Sequence, residues 1–332
     1  MNVRRLFVSR GAKLLSFAAI AACFGSVSEV RAQAWPTKPI TLVAPFPPAG
    51  AVDIVARLLA EILSQELKQP VVVNNRPGAA GIIGANHVAK AAPDGYTLLM
   101  SAVTAYAMWE AVPANRGRFD YREAFTTVSL VSETPFVLIV GNGVPARNLQ
   151  EFISYARQNP RKLNEVTNGE GSSQEFVGRL FAKLTGVETT RVPYQGIAAS
   201  FSDFAAGRVD LNFGIPLNVV SLEGKARPLV IASRNRAPYL PKVPTSSEEG
   251  LPDFLASSVY AIAAPKGLPR DVADTIHRAV SSTLKNPQLV KRFQDLGIDV
   301  LSGGPDEAER RTRLEYDTWL SVTVDSNEGK GR

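Results

Sequence analysis

Hydrophobic positions follow two alternating rhythms along this chain. Short unbroken apolar runs at 40–44, 71–73 and 96–100 are each flanked by Gly, Pro or Asn. Between them lie segments with apolar residues every three or four positions. Runs of the first kind read as buried strands, segments of the second as helices with one apolar face. The clearest unit is the stretch from Ile40 to Leu67. Ile40–Ala44 predicts a strand, and Val55, Leu58, Leu59, Ile62, Leu63 and Leu67 form one stripe on a helix over 54–67. The corner between them holds Phe46 with Pro47, Pro48 and Gly50, so few side chains obstruct it. A helix start at such a corner aims unsatisfied N–H groups beyond the strand ends, where open α/β sheets bind ligands. A bare strand-to-helix turn explains the same residues.

From Trp35 to Met100 the pattern reads strand, helix, strand, helix, strand, which predicts a parallel α/β sheet. Asn74–Gly78 reads as a loop, after which Gly81 and Gly84 open the second helix, to about Ala91. A dinucleotide site would need glycine where Ala80 stands and an acid where Ser101 and Ala102 stand, so close helix packing accounts for these glycines. Apolar runs at 128–131 and 136–140 are broken by Glu133-Thr134-Pro135. The rhythm then restarts: helices over 148–158, 174–184 and 198–206, strands around Val166 and over 190–194, 209–213 and 229–232. This predicts a second sheet with its own strand-end loops. Four prolines between 236 and 252 mark a surface connection. A returning strand over 258–264, helices over 269–285, 287–296 and 305–322, a short strand at 298–301 and a polar, disordered tail from Asp325 complete the expectation.

Composition changes this picture at the N-terminus. Arg4, Arg5, Arg10 and Lys13 precede an apolar stretch over 14–25, and Ala32-Gln33-Ala34 supplies an A-x-A cleavage site before Trp35, so residues 1–34 read as an export signal. Arg4-Arg5 fits a Sec or a twin-arginine route. Cys23 sits in a lipobox-like Ile20-Ala21-Ala22-Cys23, an alternative lipidation site. Five of the 37 Lys/Arg and one of the 31 Asp/Glu lie in the leader, leaving 32 basic and 30 acidic residues, a net of +2. That balance gives no support to nucleic-acid binding. The sole cysteine leaves with the leader, so the mature chain has no thiol for a disulfide, metal or nucleophile.

The remaining inventory is rich in donors and poor in catalysts. His87 and His277 are far apart in helical patterns, and neither has a second ligand at metal spacing. No G-x-S-x-G, GxxxxGK[ST] or H-E-x-x-H occurs. Asp53 fits a first-turn acid favoured by the helix dipole and Asp210 a strand-edge acid. Neither catalytic residues, a metal site nor a cofactor is expected.

Longer motifs then narrow the reading. Trp35-Pro-Thr-Lys-Pro-Ile40, the Pro45–Asp53 corner, Val71-Val-Val-Asn-Asn-Arg-Pro-Gly78, Ala92-Pro-Asp-Gly-Tyr-Thr-Leu-Leu99, Gly171-Ser172, Val192-Pro-Tyr-Gln-Gly196, Ala206-Gly-Arg-Val-Asp210, Val243-Pro-Thr245 and Ala264-Pro265 occur in order over the mature chain. The chain resembles the Bug-type periplasmic solute-binding proteins, the receptors of tripartite tricarboxylate transporters. The resemblance implies a two-lobed α/β Venus-flytrap fold, each lobe a mainly parallel sheet flanked by helices. Lobe 1 would be 35–135 plus 259–332 and lobe 2 136–258, hinged near 133–136 and 257–261. It implies a monomer in the periplasm, no enzyme activity, and a small carboxylate held largely by backbone N–H groups, hydroxyls and water.

Carried onto this chain, the ligand-binding candidates are Phe46, Pro47, Ala49, Gly50, Ala51 and Asp53 in the first corner, with Ser101 and Thr104 after the third strand. The second lobe would offer Asn168, Gly169, Gly171, Ser172, Ser173, Tyr194, Gln195, Gly196, Phe213 and Gly214. The chain departs from the family at Ala49 (usually Gly), Glu175 (usually His), Gln195 (usually Lys), Gly214 (usually an acid) and Val259 (usually Trp), which bears on ligand choice and not on the fold. The implied partners are membrane transporter subunits; a sensor kinase using the chain as its ligand-sensing subunit is the alternative. An exported enzyme on this scaffold would need Asp53, Asp210 or Glu175 as its base.

Overall fold

Among the described residues eleven strands build two sheets, with helices between them. The computed structural model describes residues 35–194 and 197–322. The leader with Cys23, the loop residues Gln195 and Gly196, and the tail from Asp325 lie outside the described residues. In chain order the strands are β1 (Ile40–Ala44), β2 (Val71–Asn75), β3 (Thr97–Ala102), β4 (Phe125–Pro135), β5 (Val137–Gly141) and β6 (Asn164–Thr167). They continue as β7 (Thr190–Pro193), β8 (Leu211–Gly214), β9 (Ala226–Ile231), β10 (Ser257–Pro265) and β11 (Asp299–Gly303).

The first sheet has the order β11-β4-β10-β3-β1-β2 and the second β7-β6-β8-β5-β9. Each has a parallel part, as the alternating pattern predicts: β2, β1 and β3 in the first, β7, β6 and β8 in the second. Each also has an antiparallel part larger than expected, with β10 between β3 and β4, and β5 between β8 and β9. Parallel neighbours announce themselves by the crossover helix between them. The β10 pairings join residues more than a hundred positions apart and leave no local signal.

The helix Ala51–Leu67 shows how pattern becomes packing. Val52, Val55, Ala56, Leu59 and Leu63 are buried, and β1 beneath them is buried at four of five positions. Each Val or Leu among them contributes roughly 1.5–3 kcal/mol through removal from water. The helix starts three residues before the predicted start at 54, because Ala51, Val52 and Asp53 form its first turn, with Val52 and Asp53 buried. Gly84, inside the helix Ile82–Ala89, packs where a Cβ would lie 2.7 Å from the Arg76 carbonyl oxygen and 2.8 Å from Pro45. A Cβ on Gly81 would sit 3.1 Å from the Phe46 ring. These glycines fix the corner after β1 by close approach.

β4 runs unbroken through Glu133-Thr134-Pro135, where the sequence predicts an interruption. Glu133 is tolerated there because its carboxylate accepts hydrogen bonds from Arg311 and the Ser257 hydroxyl. The helix Val103–Ala111 was not visible as a stripe, because six of its nine residues are buried, between β10 and the helix Pro305–Leu320. A helix that is apolar all round has no stripe to detect.

The chain passes from the first sheet to the second at Phe136 and returns after Ala256. The passing segments are tied by three backbone hydrogen bonds: Phe136 N–H to Ala256 O (2.9 Å), Ala256 N–H to Ala232 O (3.0 Å) and Ala232 N–H to Phe136 O (2.8 Å). Near them Trp319, on the last helix, meets Phe176 edge-on at 6.3 Å. No helix among the described residues is long and apolar enough to cross a membrane.

Candidate functional site

A cavity of about 1010 Å³ opens between the strand-end loops of the two sheets. One wall is the corner from Phe46 to Val52 between β1 and its helix; the facing wall is the loop Asn168–Gln174 between β6 and the helix Ser173–Thr185. Phe136, Val259 and Tyr260 contribute from the passing segments.

The two walls share one construction. Ala49 and Gly171 both adopt left-handed backbone (φ 63° and 77°) immediately before a helix. Each donates its N–H to the carboxylate four residues on, Ala49 to Asp53 Oδ2 (2.9 Å) and Gly171 to Glu175 Oε2 (2.7 Å). Each carboxylate is gripped by an arginine four residues further, Arg57 (2.9 Å) and Arg179 (3.0 Å). Asn75 adds a third bond to Asp53 (2.8 Å) and also donates to Phe46 O (3.2 Å), tying β2 to the first corner. Burial alone raises the Asp53 pKa, but hydrogen bonds from Arg57, Asn75 and the Ala49 N–H outweigh it and hold the carboxyl below its usual value. The carboxylates thus brace the walls from behind. The helix ends differ in front: Gly50 leaves the first helix without a side-chain cap, whereas Ser172 Oγ accepts the Glu175 N–H of the second.

The cavity gathers ten of the sequence candidates: Phe46, Pro47, Ala49, Gly50, Ala51, Thr104, Asn168, Gly171, Ser172 and Ser173. Thr104 is already engaged, donating to Glu315 Oε2 (2.8 Å) and accepting the Val259 N–H (3.0 Å). Six candidates do not line it. Asp53 lies behind its corner, and Ser101 is fully buried within β3. Gly169 (φ 92°) turns the loop between Asn168 and Glu170. The Tyr194 hydroxyl donates to Asp203 (2.5 Å). Phe213 is buried against Phe181 and Phe254, and a Cβ on Gly214 would lie 2.8 Å from Asn218 Oδ1 and 2.9 Å from Asn212 Nδ2. Gln195 and Gly196 lie outside the described residues. The sequence reading missed Trp109, within the unstriped helix, Val112 and Asn115, which follow it, and Ile215, Leu217 and Asn218 around the short helix Pro216–Ser221. Neither helix carried a periodic signal.

The candidate bases of an enzyme reading are placed for structure. Asp53 and Glu175 are braced by arginine, and Asp210 accepts the Asn164 N–H (2.8 Å). His277 meets Ser129 (3.1 Å), a fully buried residue that does not line the cavity. Among the described residues no group of acids and histidines could hold a metal.

Ala49 is a left-handed residue with a side chain, a conformation that costs L-residues about 1–2 kcal/mol and glycine little. Ala49→Gly is expected to raise stability by up to about 1 kcal/mol and to change ligand affinity, because Ala49 lines the cavity. Thermal denaturation and calorimetry check this; indifference of both would make the corner scaffolding alone.

Glu165, on the strand leading to the second wall, is 1% exposed. Thr189 donates to its Oε2, its Oε1 has no partner, and the absent side chain of Gly178 makes room for it. Burial pushes its pKa up to about 7, against the opposing Thr189 hydrogen bond and the charge of Arg191, its register partner on β7. The folded state therefore keeps a proton that the unfolded chain releases above its ordinary value of 4.5. The stabilisation is fully present below that value and lost as pH rises towards 7. Glu165→Gln is expected to flatten this decline, by on the order of 3 kcal/mol across the window. Denaturant unfolding at pH 4.5 and 7.5 measures it, and identical pH slopes for both proteins would refute it.

A family model described as the tripartite tricarboxylate transporter family receptor matches residues 55–319. The chain belongs to that family. This member of the family is similar to a Rhodopseudomonas palustris protein solved with adipate: 34% identity, TM-score 0.76, 87% of this chain and 97% of that one covered. MatC from Rhodopseudomonas palustris, solved with bound malate, is 32% identical with a TM-score of 0.74, over 87% of this chain and 99% of its own. The periplasmic binding protein BugD is 29% identical with a TM-score of 0.73, covering 87% and 97%. The fold of this receptor is accordingly the α/β, two-lobed one of periplasmic binding proteins.

Proposed function

We propose that this protein is an exported receptor that captures a small organic acid between its two walls and delivers it to the membrane subunits of a tripartite transporter. The observation that carries the reading is the cavity itself: a helix start with no side-chain cap on one wall faces a hydroxyl-rich loop on the other. Backbone N–H groups at a helix start favour an anion. The adipate and malate in the R. palustris relatives support a carboxylate as that anion.

In this reading lobe 1 is 35–135 plus 259–332 and lobe 2 is 136–258, and they close about the triply bonded segments at Phe136, Ala232 and Ala256. The protein acts as a periplasmic monomer, released from its leader before Trp35. Titration calorimetry with small carboxylates is expected to give micromolar or tighter binding, with a smaller radius of gyration in solution scattering when ligand is added. A screen of carboxylates, amino acids and aromatic acids without heat or thermal shift would sink the proposal. Mass spectrometry of the mature N-terminus tests export processing: a free Trp35 is expected, and a lipidated Cys23 would replace soluble release with anchoring.

A further inference from the structure

The cavity has room for one charge and a large apolar body. Among the described residues that line it there is no Lys, Arg or His, and Gln195 and Gly196 add none by identity. Its acid is Glu170, exposed at the rim. The arginines bracing the walls, Arg57 and Arg179, hold Asp53 and Glu175. The Thr104 hydroxyl is taken by Glu315. What remains of positive charge for an anion is the start of the helix Ala51–Leu67, about half a charge, with the Ser172 hydroxyl and the second helix start opposite; the other polar lining side chains, such as Asn115, Asn168 and Asn218, are uncharged. That suffices for one carboxylate. A second one, drawn out of water, would meet no cation and would be repelled by Glu170.

Away from the two helix starts the walls carry the apolar side chains of Phe46, Trp109, Val112, Phe136, Ile215 and Leu217, with uncharged polar groups of Asn115, Asn218 and Ser258 between them. The volume of about 1010 Å³ lies at the upper end of small-molecule sites, larger than a four-carbon acid needs. Resting on the receptor reading above, we infer that the preferred ligand is a monocarboxylate with a bulky apolar body, best an aromatic ring, and that acids of higher charge bind more weakly.

Calorimetry on the mature protein, stripped of ligand by dialysis, tests this with 3-phenylpropanoate, adipate, malate and citrate. 3-Phenylpropanoate is expected to bind at least tenfold tighter than adipate or malate, and citrate weakest. Trp109→Ala should weaken 3-phenylpropanoate at least fivefold while leaving malate unchanged, and Leu217→Ala, at an exposed position, repeats the test without risk to folding. Glu170→Gln should narrow the gap by improving adipate and malate. Equal or tighter binding of adipate or malate overturns this inference and leaves the receptor reading standing, as does equal weakening of all four acids by both apolar variants. Silence from all four acids removes the carboxylate reading and this inference with it.

Discussion

Glu315→Ala is expected to lower the unfolding free energy by about 3 kcal/mol, the lower end of what breaking a buried ion pair costs. Glu315 is 6% exposed on the last helix. Its carboxylate accepts from Thr104 Oγ1 (2.8 Å), Trp319 Nε1 (2.9 Å) and Arg311 Nε (3.0 Å). Without it the buried indole N–H loses its acceptor and Arg311 keeps only its bonds to Glu133 and Ser257 (2.9 and 3.0 Å). Thr104 retains the Ser257 carbonyl (3.2 Å), which limits the loss. Because Thr104 lines the cavity and Arg311 reaches the passing strands, the variant is also expected to weaken ligand binding. Denaturant unfolding followed by Trp319 fluorescence measures the first effect; a change under 1 kcal/mol would show the cluster to be dispensable.

Gly84→Val is expected to cost about 3 kcal/mol, the upper range for overpacking. The Cβ alone would lie within 3 Å of the Arg76 carbonyl oxygen and of Pro45 Cα and Cβ. Two of these three atoms are backbone, so no rotamer change relieves the contact. The helix Ile82–Ala89 must then move from β1, and the corner carrying Phe46 moves with it. Lower stability together with a loss of ligand affinity is expected. Unchanged affinity in a destabilised variant would mean that Phe46 keeps its place without Gly84.

These two positions were legible to different degrees. Gly84 belongs to a run of spaced glycines whose packing role the sequence suggested. Glu315 gave no sign, because its partners come from residue 104 and from residues 311 and 319, and only Arg311 and Trp319 lie at helical spacing.

The same division runs through the cleft. Its front edges were readable wherever a strand ran into a corner and a striped helix, at Phe46–Ala51 and Asn168–Ser173. Its sides were not, since Trp109 follows from a helix buried all round and Leu217 from one of six residues. The matched braces, Asp53 with Arg57 and Glu175 with Arg179, stood in the sequence as acids four residues before arginines, yet their purpose depends on the left-handed turns at Ala49 and Gly171.

By itself the sequence determined the α/β class, the two sheets, the family, and the corner after β1 as an exposed strand-end edge, which the structure places on the cavity, because strand runs, helix stripes and glycine corners are local patterns with fixed periods. Only the tertiary structure decided that Asp53 supports the cleft from behind, that Phe213 belongs to the core, that β4 runs through Glu133, and that the described residues lining the cavity include no cationic side chain. Each of those depends on which distant segment supplies the partner, and no local period carries that information.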